Sequence, residues 1–423
     1  MSSLAKKSFR ILLSQGGVGV FSILFTIYFA YEFPKSVFAF VALYETAVSL
    51  SRVVCDLGLH FQIIREAPPL LASGRSADAY SIIVLPSTLL RVIVAGLTSI
   101  VFYFLVILSS NWLDDQVGDL NFGLIAWMCT VHMFLTGIET ITITIFAIRQ
   151  RFGTDAFLES AAGLIENVFA LVCYLMWGTE FYFLGILIGI TLMVIIRIYL
   201  LRDIFRHVGQ IRLSWASAKS TLKTFFPFYI RRFFRIGFVQ GEQLLIPLLL
   251  PLTQLANFKL AKRCSVFLKN YTQAFSDPLL IKMSRSRNPD DRRSFTTTFM
   301  LFTIPLPLFL TCLSPWIMHW IGGAKYSNSW HILAVLYLSY VFYAVSQFQL
   351  TIISVFGRPV ELLMRDAVAG VIGLLSTFIL ILLFDEYGIA WGQLVSYAVL
   401  CVIGYRVSTK YLNVRKAATE TSE

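Results

Sequence analysis

Apolar runs about twenty residues long recur along this whole chain, and each could carry a helix across a hydrocarbon layer ~30 Å thick. Twelve can be placed, over residues 11–31, 36–55, 80–109, 121–147, 157–177, 181–201, 225–250, 252–279, 295–320, 331–356, 362–384 and 389–405. With 57% hydrophobic and 14% charged residues among 423, the chain holds more apolar surface than one soluble core could hide. The expectation is an all-α integral membrane protein, with about twelve transmembrane helices in two six-helix bundles around a central cavity.

Orientation follows from the basic residues, because Lys and Arg are retained on the cytoplasmic side. With both termini inside, the cytoplasmic segments hold 24 of the 35 Lys and Arg, while the outer loops hold only Lys35 and Lys325. In this count Arg197 and Arg365 fall in cytoplasmic segments. Six of the eight tryptophans, among them Trp112, Trp177, Trp316 and Trp320, fall at outer helix ends, where an indole straddles the interface. The first span follows Lys6, Lys7 and Arg10 and is read as retained, since it is too long for a signal peptide and shows no small-residue cleavage site.

The net charge of +11 is thus mostly a topology signal; no compact basic domain exists, and nucleic acid is not an expected partner. The six cysteines are scattered through apolar segments, as core packing would place them, and no metal, hydrolase or nucleotide motif occurs. No cofactor is expected beyond a coupling ion. The longest polar connection, 202–223, separates residues 1–201 from 224–406 as two six-helix bundles, and 407–423 forms a cytoplasmic tail. The outer loops, the longest at 110–120 and 321–330, are too short for a folded domain.

Ionisable side chains inside spans cost at least ~2.5 kcal/mol each on insertion scales, so each is a candidate functional residue. On the second span Glu45, Ser49, Arg52 and Asp56 fall within roughly 60° of one another at 100° per residue. His132, Thr136 and Glu139 align likewise on the fourth span, and Glu159, Gly163 and Glu166 on the fifth. In the stretch FFPFYIRRFFRIGFVQGEQLL, Arg231, Arg235 and Glu242 align within roughly 40° on the seventh. On the eighth, Lys259, Lys262, Arg263, Lys269, Asn270, Gln273 and Asp277 occupy an arc of roughly 120°.

The two halves have opposite balances. The seventh and eighth spans set these cations, with Arg232, against only Glu242 and Asp277, which suits an anionic substrate, since Arg binds phosphate through forked donors. The first half sets Glu45, Asp56, Glu139, Glu159 and Glu166 against Arg52 and Arg91. Its acids are candidate sites for a coupling proton or sodium ion, and Glu45, Asp56, Glu139 and Glu242 carry that assignment. Two plainer readings stand beside these. Arg231 and Arg232 lie near the cytoplasmic end and can snorkel to headgroups, and Glu45 with Arg52 or Asp56 with Arg91 can tie helices together. Lys262 and Arg263, some ten residues from either end of their span, lie too deep to snorkel easily.

The stretch CDLGLHFQIIREAPPL resembles the D-x-G turn of polysaccharide and O-antigen flippases of the multidrug, oligosaccharidyl-lipid and polysaccharide (MOP) exporter superfamily. GEQLLIPLLLPLTQLANFKLAKRCSVF is similar to their acid-x-hydrophobic seventh helix running into a Y-x-x-A-x-R pattern, here Phe258, Ala261 and Arg263. FSDPLLIKMSR and WIGGAKYSNSWHILAVLYLSY resemble two further stretches, the second holding the G-x-x-Y that precedes the tenth span. Glu242 stands where an aspartate is commoner, and Phe258 where a tyrosine is.

The resemblance implies a protein of the bacterial inner membrane that moves a polyprenyl-pyrophosphate-linked glycan, such as an O-antigen repeat unit for lipopolysaccharide, from the inner to the outer leaflet. It also implies a polysaccharide polymerase and a chain-length regulator as partners. The pyrophosphate would meet Arg231, Arg235, Lys259, Lys262, Arg263 and Lys269, with Arg52 and Arg91 from the first half. A cation-coupled multidrug exporter of the same superfamily would suit the acids of the first half, but the second-half cations would repel its substrates. Membrane polymerases and ligases resemble one another in a large outer loop that this chain lacks, and no filter-like segment points to a channel.

Overall fold

A computed structural model describes residues 21–56, 59, 63, 67, 70–71, 73–75, 78–118, 120–148, 152–202, 229–230, 234, 243–285, 299–356 and 359–420. Among the described residues there is no strand. The reason is physical: hydrocarbon offers no water to a backbone N–H or C=O, and a helix satisfies both internally. The helices are α1 (Phe21–Glu32), α2 (Lys35–Asp56), α3 (Leu85–Leu108), α4 (Ser110–Val117), α5 (Phe122–Ile148), α6 (Phe152–Trp177) and α7 (Phe181–Leu200). After them come α8 (Leu252–Arg285), α9 (Pro305–Tyr326), α10 (Trp330–Phe356), α11 (Pro359–Phe384) and α12 (Tyr387–Glu420). Eight described stretches are long and apolar enough to cross a membrane.

Several ends differ from the sequence expectation, each for a local reason. Residues 79–84 form a π-helical turn in which the Leu85 N–H donates to Tyr80 O, five residues back. Pro86, at the start of α3, has no N–H to offer the preceding turn, and the wider turn takes up the mismatch. The outer connection at 110–120 contains the short helix α4, whose Leu113 is buried. The connection at 321–330 is helical to Tyr326, with a break at Gly323 (φ 52°) and a 3₁₀ turn at Ser327–Ser329. The tail continues α12 to Glu420, as a run without Gly or Pro allows. Trp112, Trp177, Trp316, Trp320 and Trp391 are exposed, as interfacial indoles should be.

The chain divides into two compact units, residues 43–233 and residues 1–42 with 234–423. The boundary differs from the 1–201 and 224–406 division expected from sequence: α1 belongs with the C-terminal helices. In the 43–233 unit α6 packs along α7, and α5 packs against both α3 and α7. In the other unit α12 lies against α10 and α11, while α10 also packs on α8 and α9.

Close helix contact in lipid relies on small residues, since tails offer no hydrophobic contrast. Gly185 of α7 lies against the backbone of Phe169 and Ala170 on α6, and a Cβ at Gly189 would fall 2.6 Å from Glu166 Cα. Gly163 of α6, by contrast, has open space around it. Gly185→Ala is therefore expected to destabilise the protein by about 1–3 kcal/mol through overpacking. Gly163→Ala should be neutral or stabilising by up to about 1 kcal/mol. Thermal unfolding of detergent-purified variants checks both signs.

Candidate functional site

In the 43–233 unit α2 and α5 are tied at two levels. The Tyr44 hydroxyl hydrogen-bonds His132 Nδ1, and Arg52 Nη2 donates to Glu139 Oε2 at 3.4 Å. Both ties advance about two turns on each helix, so α2 and α5 run side by side in the same direction. Tyr44 also meets the Phe183 ring edge to face, at 5.5 Å between centroids. The second oxygen of Glu139 faces Arg197 Nη2 of α7 at 3.7 Å. Glu139 thus stands between two guanidiniums, one half exposed (46%) and the other fully buried (0%). Arg52 and Glu45, two turns apart on one helix, are about 10 Å apart along its axis, so Arg52 turns instead to α5.

One end of α2 is fixed by a second charge pair. Arg91 Nη2 of α3 donates to Asp56 Oδ1, and Arg91 Nη1 donates to Thr144 Oγ1 of α5 at 3.1 Å. Both charged groups are sealed from solvent. This is the helix tie the sequence allowed, and it draws three helices together at one point. Glu45 on α2 and Glu166 on α6 are half-buried, and Glu166 lies against Gly189 of α7.

In the other unit α8 carries the second group of cations named from sequence. Lys259, Lys262, Arg263 and Lys269 are half-buried, while Phe258, Leu260, Ala261, Cys264 and Leu268 pack inside. Arg263 Nη2 donates to Ser22 Oγ of α1, and Lys262 Nζ sits 5.2 Å from the Phe258 ring centre. Phe258 thus supplies an aromatic face to a cation one turn away. Along the same helix Asn257 Nδ2 donates to Glu386 Oε2 at 2.8 Å, and Gln273 Nε2 reaches the Tyr343 hydroxyl at 3.4 Å. Arg231, Arg235 and Glu242 lie outside the described residues, as does most of the stretch resembling the D-x-G turn.

The G-x-x-Y stretch, Gly323 to Tyr326, forms a corner with α1. Lys325 Nζ donates to the carbonyls of Ala30 (2.7 Å), Tyr31 (3.2 Å) and Phe33, so an ammonium neutralises the carbonyl end of α1. A Cβ at Gly323 would lie 2.8 Å from the Tyr31 hydroxyl, and φ there is positive, so glycine is required on both counts. Tyr326 is buried, with Lys35 5.1 Å from its ring centre and Phe38 edge to face at 6.3 Å.

Charge counting missed two buried arginines by assigning them to cytoplasmic loops. Arg197 is in the last turn of α7 with Glu139 as partner, and Arg365 of α11 pairs with Asp366 at 3.1 Å and donates to Ser346 O at 3.3 Å. The signal was present for Arg197: the run MVIIRIYLL surrounds it with apolar residues on both sides. The cysteines are buried at 55, 129, 173 and 264, but Cys312 is exposed.

The chain matches no family profile and no curated protein sequence. Solved structures do match. A lipid II flippase, MurJ, in an inward closed conformation aligns at TM-score 0.73 and 14% identity, covering 98% of this chain and 93% of that one. An inward-facing multidrug resistance MATE family transporter of the MOP superfamily aligns at TM-score 0.69 and 12% identity, covering 95% and 96%. The MATE transporter ClbM in complex with Rb+ aligns at 0.58 and 14%, covering 96% and 94%. At these identities the likeness is one of fold. The all-α, two-bundle membrane fold of about twelve spans expected from the sequence is the fold these proteins share.

The Asp56–Arg91 pair supplies a stability test. Removing one partner leaves a buried charge alone, so Arg91→Met should cost about 3–5 kcal/mol, whereas Asp56→Leu with Arg91→Met should recover most of that loss. Thermal unfolding of the single and double variants in detergent measures the difference.

Proposed function

We propose that this protein is a flippase that carries a polyprenyl-pyrophosphate-linked oligosaccharide, of the O-antigen or a similar surface-polysaccharide type, from the cytoplasmic to the periplasmic leaflet of a bacterial inner membrane. Its termini lie in the cytoplasm, and a polymerase and a chain-length regulator act on the delivered units. The observation that carries this reading is the face of α8, where Lys259, Lys262, Arg263 and Lys269 are held half-buried on one side of a helix long enough to span the bilayer.

If α8 crosses the bilayer, as proposed here, four cations on one side of it are costly to insert, and a mobile anion offsets that cost. Pyrophosphate meets it with several acceptor oxygens, and Arg263 can take two of them through its fork. Arg231 and Arg235, which the sequence aligns on the preceding span, are proposed as further ligands of the anion, and the prenyl tail stays in lipid. Transport proceeds by alternating access, with two bundles rocking in turn, and a proton or sodium ion at acids such as Glu45, Glu139 or Glu242 couples to it. Arg52, Arg91 and Asp56, named as site residues from sequence, act here through the helix ties they make.

A multidrug exporter is the second reading, favoured by the acids of the 43–233 unit and by the MATE likeness. The α8 cations separate the two, because they attract a pyrophosphate and repel the cationic substrates expected of such an exporter.

Reconstitution into vesicles with a fluorescent polyprenyl-pyrophosphate glycan tests the proposal. Lys262→Gln and Arg263→Gln keep length and hydrogen bonding but remove charge. A lost charge-assisted hydrogen bond is worth about 1.5–3 kcal/mol, so each should slow leaflet transfer about tenfold or more while the protein still inserts and folds. Wild-type rates in both variants would contradict the anion site.

A further inference from the structure

The sequence at the end of α1 leaves its backbone short of a donor. The helix ends at Glu32, and Pro34 follows. Proline has no N–H, so the group that would meet the Ala30 carbonyl from four residues on does not exist. Ala30 and Phe33 are each only 1% exposed, which leaves water little access to their carbonyls. A backbone carbonyl left unpaired in such a place is costly. Lys325 meets the need from α9: an ammonium has three protons, and here they serve the carbonyls of Ala30, Tyr31 and Phe33.

Further contacts hold the same elbow. Gly323 brings a backbone without a Cβ against the Tyr31 hydroxyl. The buried Tyr326 ring has Lys325 Nζ 5.5 Å and Lys35 Nζ 5.1 Å from its centre, and Phe38 near the start of α2 meets it edge to face. Towards its other end α1 is tied to α8 by the bond from Arg263 to Ser22. The Ser22 and Ala30 ties stand about 12 Å apart along the helix. They differ in kind. In the flippase reading Arg263 is a ligand of the anion, which competes with Ser22 for the guanidinium. Lys325 has no such second duty, because each of its protons is already taken by a carbonyl of α1.

We propose that Lys325 is a positioning residue that makes α1 and the start of α2 a lasting part of the unit formed by residues 1–42 and 234–423, so that the carbonyl end of α1 stays seated on the Gly323–Tyr326 corner in every state of the protein. The boundary of that unit then lies inside α2, at Ala42, and not at the 202–223 connection. Leaving the corner would strand the carbonyls of Ala30 and Phe33 without a donor, since Pro34 supplies none. What the seated helix does in a transport cycle rests on the flippase reading; the seating does not.

Spin labels on Leu24→Cys and Asn328→Cys, two exposed positions on α1 and beside the corner, test it in a cysteine-free protein held in bilayer discs. With Lys325 in place the pair should give one narrow distance, the same with and without a polyprenyl-pyrophosphate glycan. Lys325→Met should add a second, longer distance. A second distance with Lys325 in place would overturn the proposal, and so would a single unchanged distance in Lys325→Met. Should Lys325→Met fail to fold, the measurement with Lys325 in place, with and without the glycan, decides. A bis-maleimide joining Glu32→Cys to Asn328→Cys should leave the rate of glycan transfer in vesicles unchanged; a rate lost only on cross-linking would mean that α1 must leave the corner, against the proposal. One narrow distance in a protein that transfers no glycan would uphold the seated helix and refute the flippase reading.

Discussion

A charge inside hydrocarbon must be paired, solvated or absent, and this constraint decides where the helices of this protein meet. The Asp56–Arg91 pair, with Thr144 as a third member, fixes α2, α3 and α5 at one point. Arg52, Glu139 and Arg197 do the same for α2, α5 and α7. Outside such points the helices approach through small residues such as Gly185 and Gly189, whose missing side chains allow backbone contact where lipid supplies no drive for association. Polar ties choose the neighbours and glycines set the spacing.

The two units use charge differently. In residues 43–233 the charges face one another across helix contacts. On α8 they line one face of a single helix, spaced along it so that several reach the same side. The first arrangement suits an ion that comes and goes; the second suits a large multivalent anion.

Much of this was legible in the sequence, and the limits have physical causes. Helix positions could be read because hydrocarbon thickness fixes a minimum apolar length, and the faces of α2, α5 and α8 followed from the helical period. The Asp56–Arg91 tie was open to the sequence as one of two readings. Arg197 was misplaced because a charge near the end of an apolar run reads as a loop residue unless its partner is known, and Glu139 is visible as that partner only in three dimensions; Arg365 was counted with a loop although Asp366 stands beside it in the sequence. Arg52 was matched with Glu45 on its own helix, although two turns of rise put them out of reach. The corner built by Gly323, Lys325 and Tyr326 was noted only as a stretch resembling others, because its purpose, holding the carbonyl end of α1, involves residues nearly three hundred positions away.

The account turns on what crosses the bilayer. The most direct measurement is to deplete the protein in the cells that make it and locate the lipid-linked repeat units by leaflet-selective labelling. The account predicts that they accumulate on the cytoplasmic leaflet while surface polysaccharide declines. Surface polysaccharide at its normal level, together with a loss of tolerance to cationic drugs, would contradict it and identify the protein as an exporter instead.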